Sequence, residues 1–488
     1  MRPWLILLVF LCGSVATFAQ GPRVFPPGDL PNDARLGPLT TLNGHFPFVV
    51  PDNPAEWDVR REFLRRRVAV ATGLWPMPEK TPLQSVIHGK IQRNGFTVEK
   101  VYFQSLPDHF VTGLLFRPSN PSDTPRPGVL NPHGHGGRLQ THSDDEIARQ
   151  IEVGGEHFER SGRMPKLARC AQLARMGCVA FIFDMLGYAD SVQIEYEVAH
   201  RHKEAREIEA NETGDGWVFF SSAADLRLQS IMGLQTWNSI RALDFLASLP
   251  DVDPDRLAVT GGSGGGTQSI LLGALDDRIK VSFPNGMVST SMQGGCYCEN
   301  CNLLRIGSGN VELAALFAPK PQAMTAADDW TKEMMSDGYP ELKWLYAMIG
   351  NESDVYCRPM LHFKHNYNYV TRATMYQWMN RHLQLGLDDP VIEQDFEPLT
   401  EEETAVWNDE RPEPTEVGIP HERKVCRWLD DQASQQLSAI VPDDAKSLQS
   451  FRHHFGGAWR VIFDQGVPSE VEYQAMGEDR KDGLILSK

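Results

Sequence analysis

Two periods of hydrophobicity alternate along this chain. Phe96 to Phe103 and Phe110 to Phe116 alternate as two strands of an antiparallel pair. Gly128-Val129-Leu130 and Cys178 to Phe183 are short continuous apolar runs, as expected of strands buried on both faces. Between them, Leu167, Cys170, Ala171, Leu173 and Ala174 recur at helical spacing over Leu167 to Met176. The spacing predicts a long helix over Leu226 to Leu249, ended by Pro250. It then predicts a strand at Leu257 to Thr260 and a helix starting at Thr267 to Ala274. Further strands are expected at Lys280–Pro284, Pro321–Ala327 and Pro359–Phe363, followed by a helix over Val370–Leu385. Strands alternating with helices imply an α/β fold: a mainly parallel, twisted sheet with helices on both faces.

The flanks differ in character. Asn53 to Thr72, with "RREFLRRRVAVATG", is a basic amphipathic helix, giving an N-terminal helical extension over residues 20–95. The core fold is expected over 96–388. Beyond it, "EQDFEPLTEEETAVWNDERPEP" is acidic and proline-punctuated, and reads as a linker or strap. A helical stripe of Val425, Trp428, Leu429, Ala433 and Leu437 and a second short helix at Phe451–Phe463 follow. Residues 389–488 are therefore expected to be a mainly helical appendage packed on the main domain.

Composition narrows the function. The chain has 488 residues and 41% hydrophobic content, enough for a substantial core, and a formal charge of −17, which disfavours nucleic acid or an anionic membrane as partner. Arg2, the apolar run Trp4 to Cys12 and the small residues Thr17 and Ala19 form an expected export signal over 1–19. No later apolar run approaches a membrane span, so the mature chain is expected to be secreted or periplasmic. Removing Cys12 leaves seven cysteines, an odd number for an oxidising compartment. Cys170 reads as a buried free thiol.

Gly261-Gly262-Ser263-Gly264-Gly265 is a G-x-S-x-G turn between a strand and a helix, where glycines allow a nucleophilic serine to stand proud of a sheet. Thr267 and Gln268 replace the lysine that a phosphate loop would carry. A serine hydrolase of α/β type needs its nucleophile, acid and histidine in that order at strand ends. Ser263, Asp329 in "QAMTAADDW" and His365 in "HFKHNYN" satisfy the order. Asp328 and Glu299 remain rivals for the acid, and His362 for the base. Gly264 and the loop His133 to Gly137, through His135 and Gly136, are expected to supply oxyanion donors. His133, Tyr188 in "DMLGYADS", Glu299 and Trp330 are expected pocket residues.

Two metal readings compete with this. His133 and His135 have a ligand spacing, and Cys296, Cys298 and Cys301 offer three thiolates with a fourth ligand, such as Cys357 or a histidine, still needed. A disulfide among Cys296, Cys298, Cys301 and Cys357 is the favoured expectation, with free thiols in a buried loop as the alternative. No metal and no cofactor are expected.

The stretches "GLWPMPEKTPL", "GFTVEKVYFQSLPDHFVTGLLFRP", "NPHGHGG", "VTGGSGGGTQS", "GGCYCEN", "APKPQAMTAADDWT" and "HNYN" resemble the acetyl xylan esterase-like family of α/β hydrolases, from about Pro54 to Pro414. The resemblance implies a serine esterase acting on acetylated polysaccharide or oligosaccharide, with Ser263, Asp329 and His365 in the catalytic roles. A glucuronoyl esterase is the nearest variant and would use a cation such as Arg138 or Lys364 for the sugar carboxylate. A prolyl-oligopeptidase-type peptidase would need a propeller, and no blade repeat is present. A non-catalytic carbohydrate-binding scaffold would have been free to lose any of the three residues.

Overall fold

Val179–Phe183 shows how the sheet is built. All five residues are buried, with Val179, Phe181 and Phe183 facing one core and Ala180 and Ile182 the other. A strand's side chains alternate between faces, so such a run needs cover on both sides. The helix Ile231–Ser248 supplies it on one face through Trp237, Leu243 and Phe245. Helices Pro165–Arg175 and Tyr369–His382 supply it on the other through Leu167, Leu173, Met375 and Met379. The computed structural model describes Gly28, residues 40–211 and 213–463, and the backbones of 478–481 and 484–487. The export signal expected at 1–19 lies outside the described residues.

The sheet has nine strands: β1 (Val86–Arg93), β2 (Phe96–Leu106), β3 (His109–Pro118), β4 (Arg126–Leu130), β5 (Val179–Phe183), β6 (Val252–Gly262), β7 (Ile279–Asn285), β8 (Gln322–Ala327) and β9 (Val355–Met360). Their order is β1-β2-β3-β5-β4-β6-β7-β8-β9. The first three strands join antiparallel, and β5 through β9 run parallel. This is the α/β-hydrolase fold expected from the strand and helix pattern. Its parallel part gathers the loops after β4, β6, β7, β8 and β9 at one edge.

Several boundaries differ from the sequence reading. The last strand is Val355–Met360, not Pro359–Phe363. Proline is tolerated inside it because β9 is an edge strand. Phe363 instead closes a turn, donating its N–H to Met360 O and accepting that of Asp328. The long helix starts at Ile231 rather than Leu226, because Ser230 caps it by accepting from Gly233 N–H. The second C-terminal helix is longer than expected, Ala445–Phe463.

Residues 41–463 fall within one unit. The helix Pro54–Ala71 buries Trp57, Leu64 and Val68 in a third core cluster with Ile270 and Leu271. The helix Ile419–Ser438 inserts Val425 and Cys426 into the first cluster. Trp75 Nε1 donates to His454 O at 2.9 Å, tying the Ala445–Phe463 helix down. Separately, Glu478–Lys481 and Leu484–Ser487 pair as an antiparallel hairpin. No helix among the described residues is long and apolar enough to cross a membrane.

Candidate active site

The serine turn is set by its glycines. A Cβ on Gly261 or Gly265 would come within 2.5 or 2.2 Å of Pro132 O. Only bare backbone lets β6, the following helix Gly264–Leu275 and the loop after β4 meet this closely. Between them Ser263 adopts φ 55° and ψ −127°, a conformation rare for a residue with a side chain. Its N–H donates to Asn285 O at 3.0 Å. Asn285 Nδ2 also donates to Asn366 O at 2.9 Å, so the end of β7 links the serine turn to the loop that carries His365.

His365 and Ser263 line one cavity of about 260 Å³. Ser263 Oγ has no hydrogen-bond partner among the described residues. His365 Nδ1 lies 2.8 Å from Asp329 Oδ2. The other oxygen, Oδ1, accepts from Thr331 N–H at 2.7 Å and Thr331 Oγ1 at 2.6 Å. Burial opposes ionisation of Asp329, but the bonds from His365 and Thr331 outweigh it and hold the carboxyl below its usual range. Asp328 is exposed and pairs with Lys364, away from the imidazole. Glu299 is buried, and burial raises its pKa. Its Oε2 accepts from Gly295 N–H and its Oε1 lies 3.8 Å from His135 Nδ1. His362 is exposed and stacks on Phe363.

The loop after β4 departs from expectation in detail. Gly134, not Gly136, presses on the serine: a Cβ there would lie 2.8 Å from Ser263 Cβ. Gly136 donates its N–H to Tyr188 Oη at 3.4 Å. Lys166 Nζ clamps the loop by donating to the carbonyl oxygens of Gly134, His135 and Gly137 at 3.3, 3.0 and 2.8 Å. His133 lines the cavity, but both its ring nitrogens are used. Nδ1 donates to Gly134 O, and Nε2 accepts Met185 N–H at 3.1 Å. Burial lowers its pKa well below the usual value. That leaves His133 neutral and without a lone pair for a metal.

Three expected pocket residues stand behind the wall rather than in it. Tyr188 is buried edge-on to His133. Glu299 sits beside His135 and Gly264. Trp330 packs on the His365 ring at 4.4 Å between centroids and donates Nε1–H to Gly286 O at 2.7 Å. Arg138 is fully buried, paired with Asp184 at 2.8 Å and with Asp190, so it is not free to meet a substrate carboxylate. Lys166 and Arg169, which the sequence reading missed, do line the cavity. Burial lowers Lys166 to about 7. Arg169 adds a guanidinium to the same wall. Its Nε reaches Asn131 Oδ1 and its plane lies 4.5 Å from the Tyr367 ring centroid, but Nη2 is buried without a partner.

All seven described cysteines, Cys296, Cys298, Cys301 and Cys357 among them, are free thiols, the alternative to the favoured disulfide.

Comparison with known proteins agrees with the fold. A family model described as "Glucuronyl esterase, fungi" matches residues 179–332, which contain Ser263 and Asp329. The protein named "Putative hydrolase YtaP" from Bacillus subtilis (strain 168) is 26% identical over 216 residues, 44% of this chain. That match spans 61% of the relative's length. The solved structure of "Methylesterase BT1017" superposes with a TM-score of 0.59 at 24% identity, covering 80% of this chain and 78% of its own. An acetyl xylan esterase from Paenibacillus sp. R4 superposes at 0.42 with 16% identity, over 71% of this chain and all (100%) of its own. The chain has the α/β-hydrolase fold, and the family model and the methylesterase to which it is similar are described as ester hydrolases.

Proposed function

We propose that this chain is a serine carboxylic-ester hydrolase acting on carbohydrate esters through an acyl-enzyme on Ser263. The observation that carries the reading is a strained, unpartnered serine sharing a cavity with a histidine held by a buried carboxylate. In this mechanism Ser263 Oγ attacks the ester carbonyl and passes its proton to His365 Nε2. Asp329 fixes the ring with Nδ1–H directed at Oδ2, which keeps Nε2 as the acceptor. Gly264 N–H, at the first turn of its helix, has no intrahelical acceptor and is directed at the developing oxyanion. His135 N–H, next in the chain to the glycine pressed against Ser263, is the second donor. Nε2 then protonates the departing sugar oxygen, and water repeats the sequence to release the acid.

The leading substrate is an acetylated polysaccharide or oligosaccharide, as the sequence resemblance implies. Arg169 favours a second reading: its side chain lines the cavity, and a guanidinium in that wall suits a uronic acid ester, whose hydrolysis leaves a carboxylate there. With the leader expected at 1–19, we place the enzyme outside the cytoplasm. The test is a panel of acetylated xylo-oligosaccharides, methyl uronates and glucuronate esters, run with the wild type and Arg169→Met. The acetyl reading expects acetate release untouched by Arg169→Met. The uronate reading expects faster turnover of the uronate esters, with kcat/KM on them falling in the variant. Inertness towards every ester would overturn the proposal.

A further inference from the structure

Beside the cavity, four side chains from three separate segments converge. His135 comes from the loop after β4, His200 ends the short helix Tyr196–His200, and Cys296 and Cys298 lie on the loop after β7. One donor atom from each, two imidazole nitrogens and two sulfurs, lies within 4.8 Å of every other. Cys298 Sγ is 3.7 Å from His135 Nε2, and Cys296 Sγ is 3.4 Å from His200 Nδ1. A tetrahedral zinc with Zn–N and Zn–S bonds of about 2.0–2.3 Å has ligand-to-ligand edges of about 3.3–3.8 Å. The Cys298–His135 and Cys296–His200 pairs already match that edge length.

The surroundings point the same way. His200 Nε2 donates to Leu186 O at 2.8 Å. That bond puts the ring proton on Nε2 and leaves the Nδ1 lone pair facing Cys296, the tautomer a metal requires. His135 Nδ1 faces Glu299 Oε1 at 3.8 Å, a carboxylate behind a ligating imidazole, while Nε2 faces the sulfur. Cys301, the third cysteine of the cluster, packs instead against the core formed around Val311 and Leu345. The sequence expectation of no metal followed from favouring a disulfide among the clustered cysteines. The fold instead brings to them His135, whose spacing had paired it with His133, and His200, which no sequence spacing announces.

We propose that His135, His200, Cys296 and Cys298 bind one Zn²⁺ as a closed, four-coordinate structural site that fixes the loop after β4 to the loop after β7. Both thiols release their protons when they ligate. Two thiolates and two imidazoles select zinc over harder divalent cations. With all four positions filled by protein, the ion has no place for substrate, and its role is to hold the loop whose Gly134 presses on Ser263 and whose His135 N–H is the proposed oxyanion donor. Only that last consequence rests on the esterase reading.

The test uses the full-length mature protein, supplied with zinc, dialysed and analysed for metal. One equivalent of zinc per chain is expected, retained in Cys301→Ser and lost in His200→Ala and in the Cys296→Ser/Cys298→Ser double variant. Replacement by Co²⁺ in the unaltered chain should give a thiolate-to-cobalt charge-transfer band and the strong visible bands of a tetrahedral centre. That spectrum decides the matter even if the double variant does not fold. Chelation should lower Tm by several degrees. Substoichiometric zinc with freely alkylated thiols, or a Cys296–Cys298 disulfide in the native protein, would overturn the site. Metal content is independent of turnover: a zinc-loaded protein inert towards esters would refute the esterase reading alone, and an active, zinc-free protein the metal site alone.

Discussion

His365 Nδ1 lies 2.8 Å from Asp329 Oδ2, while the neighbouring carboxylate, Asp328, points out to Lys364. One residue separates a group that can orient an imidazole from one that serves as a surface ion pair. Asp329→Asn should therefore lower kcat about 10³- to 10⁴-fold by allowing the wrong tautomer. Asp328→Asn and Glu299→Gln should stay within about tenfold, a rate factor worth about 1.4 kcal/mol. Steady-state kinetics on one aryl ester compares the three, and a crippled Glu299→Gln beside an active Asp329→Asn would move the acid to the loop after β7.

The same carboxyl makes a pH prediction. Its folded pKa is depressed by hydrogen bonds from His365 and Thr331 acting against burial. A depressed carboxyl contributes stability that is present above the unfolded value, about 3.9, and is lost as pH falls through the folded value. Urea unfolding of wild type and Asp329→Asn should show their stability difference narrowing as pH drops below about 4. A difference that widens there would contradict the assignment.

Arg138 is predicted to act on the fold and not on the substrate. Arg138→Met leaves the buried Asp184 without its ion-pair partner. Breaking such a pair costs about 3–5 kcal/mol. Thermal unfolding should fall accordingly, with the ratio of rates on acidic and neutral esters unchanged. A folded variant that loses only acidic substrates would return Arg138 to the binding site.

Gly265→Ala tests the serine turn from its backbone. The added methyl would meet Pro132 O, in the loop after β4, at 2.2 Å. Overpacking of this kind typically costs about 1–3 kcal/mol, and here it also displaces that loop beside Ser263, so activity should fall more than stability. Unchanged kinetics would show that the loop yields without consequence.

What was legible in the sequence follows from how local each signal is. The serine turn was readable because its glycines answer contacts within one strand–turn–helix unit. Asp328 and Asp329 adjoin in the sequence, and it is the fold that turns one to Lys364 and the other to His365. The last strand was misplaced because Pro359 reads as a boundary, and only the sheet order reveals that β9 is an edge where proline is tolerated. Arg138 looked available because its partners Asp184 and Asp190 come from another loop. Gly136 was preferred to Gly134 because the path of a glycine-rich loop is not encoded in its spacing. His200 carries no motif and becomes interesting only when folding brings it to Cys296.

The central claim is that Ser263 forms a covalent acyl-enzyme. Rapid acid quench of the wild-type protein turning over an aryl acetate, followed by peptide mass spectrometry, tests it directly. The account predicts an acetyl adduct on the peptide containing Ser263, absent from Ser263→Ala, with turnover in that variant reduced by several orders of magnitude. An unmodified Ser263 peptide under turnover, together with near-wild-type hydrolysis by Ser263→Ala, would contradict it.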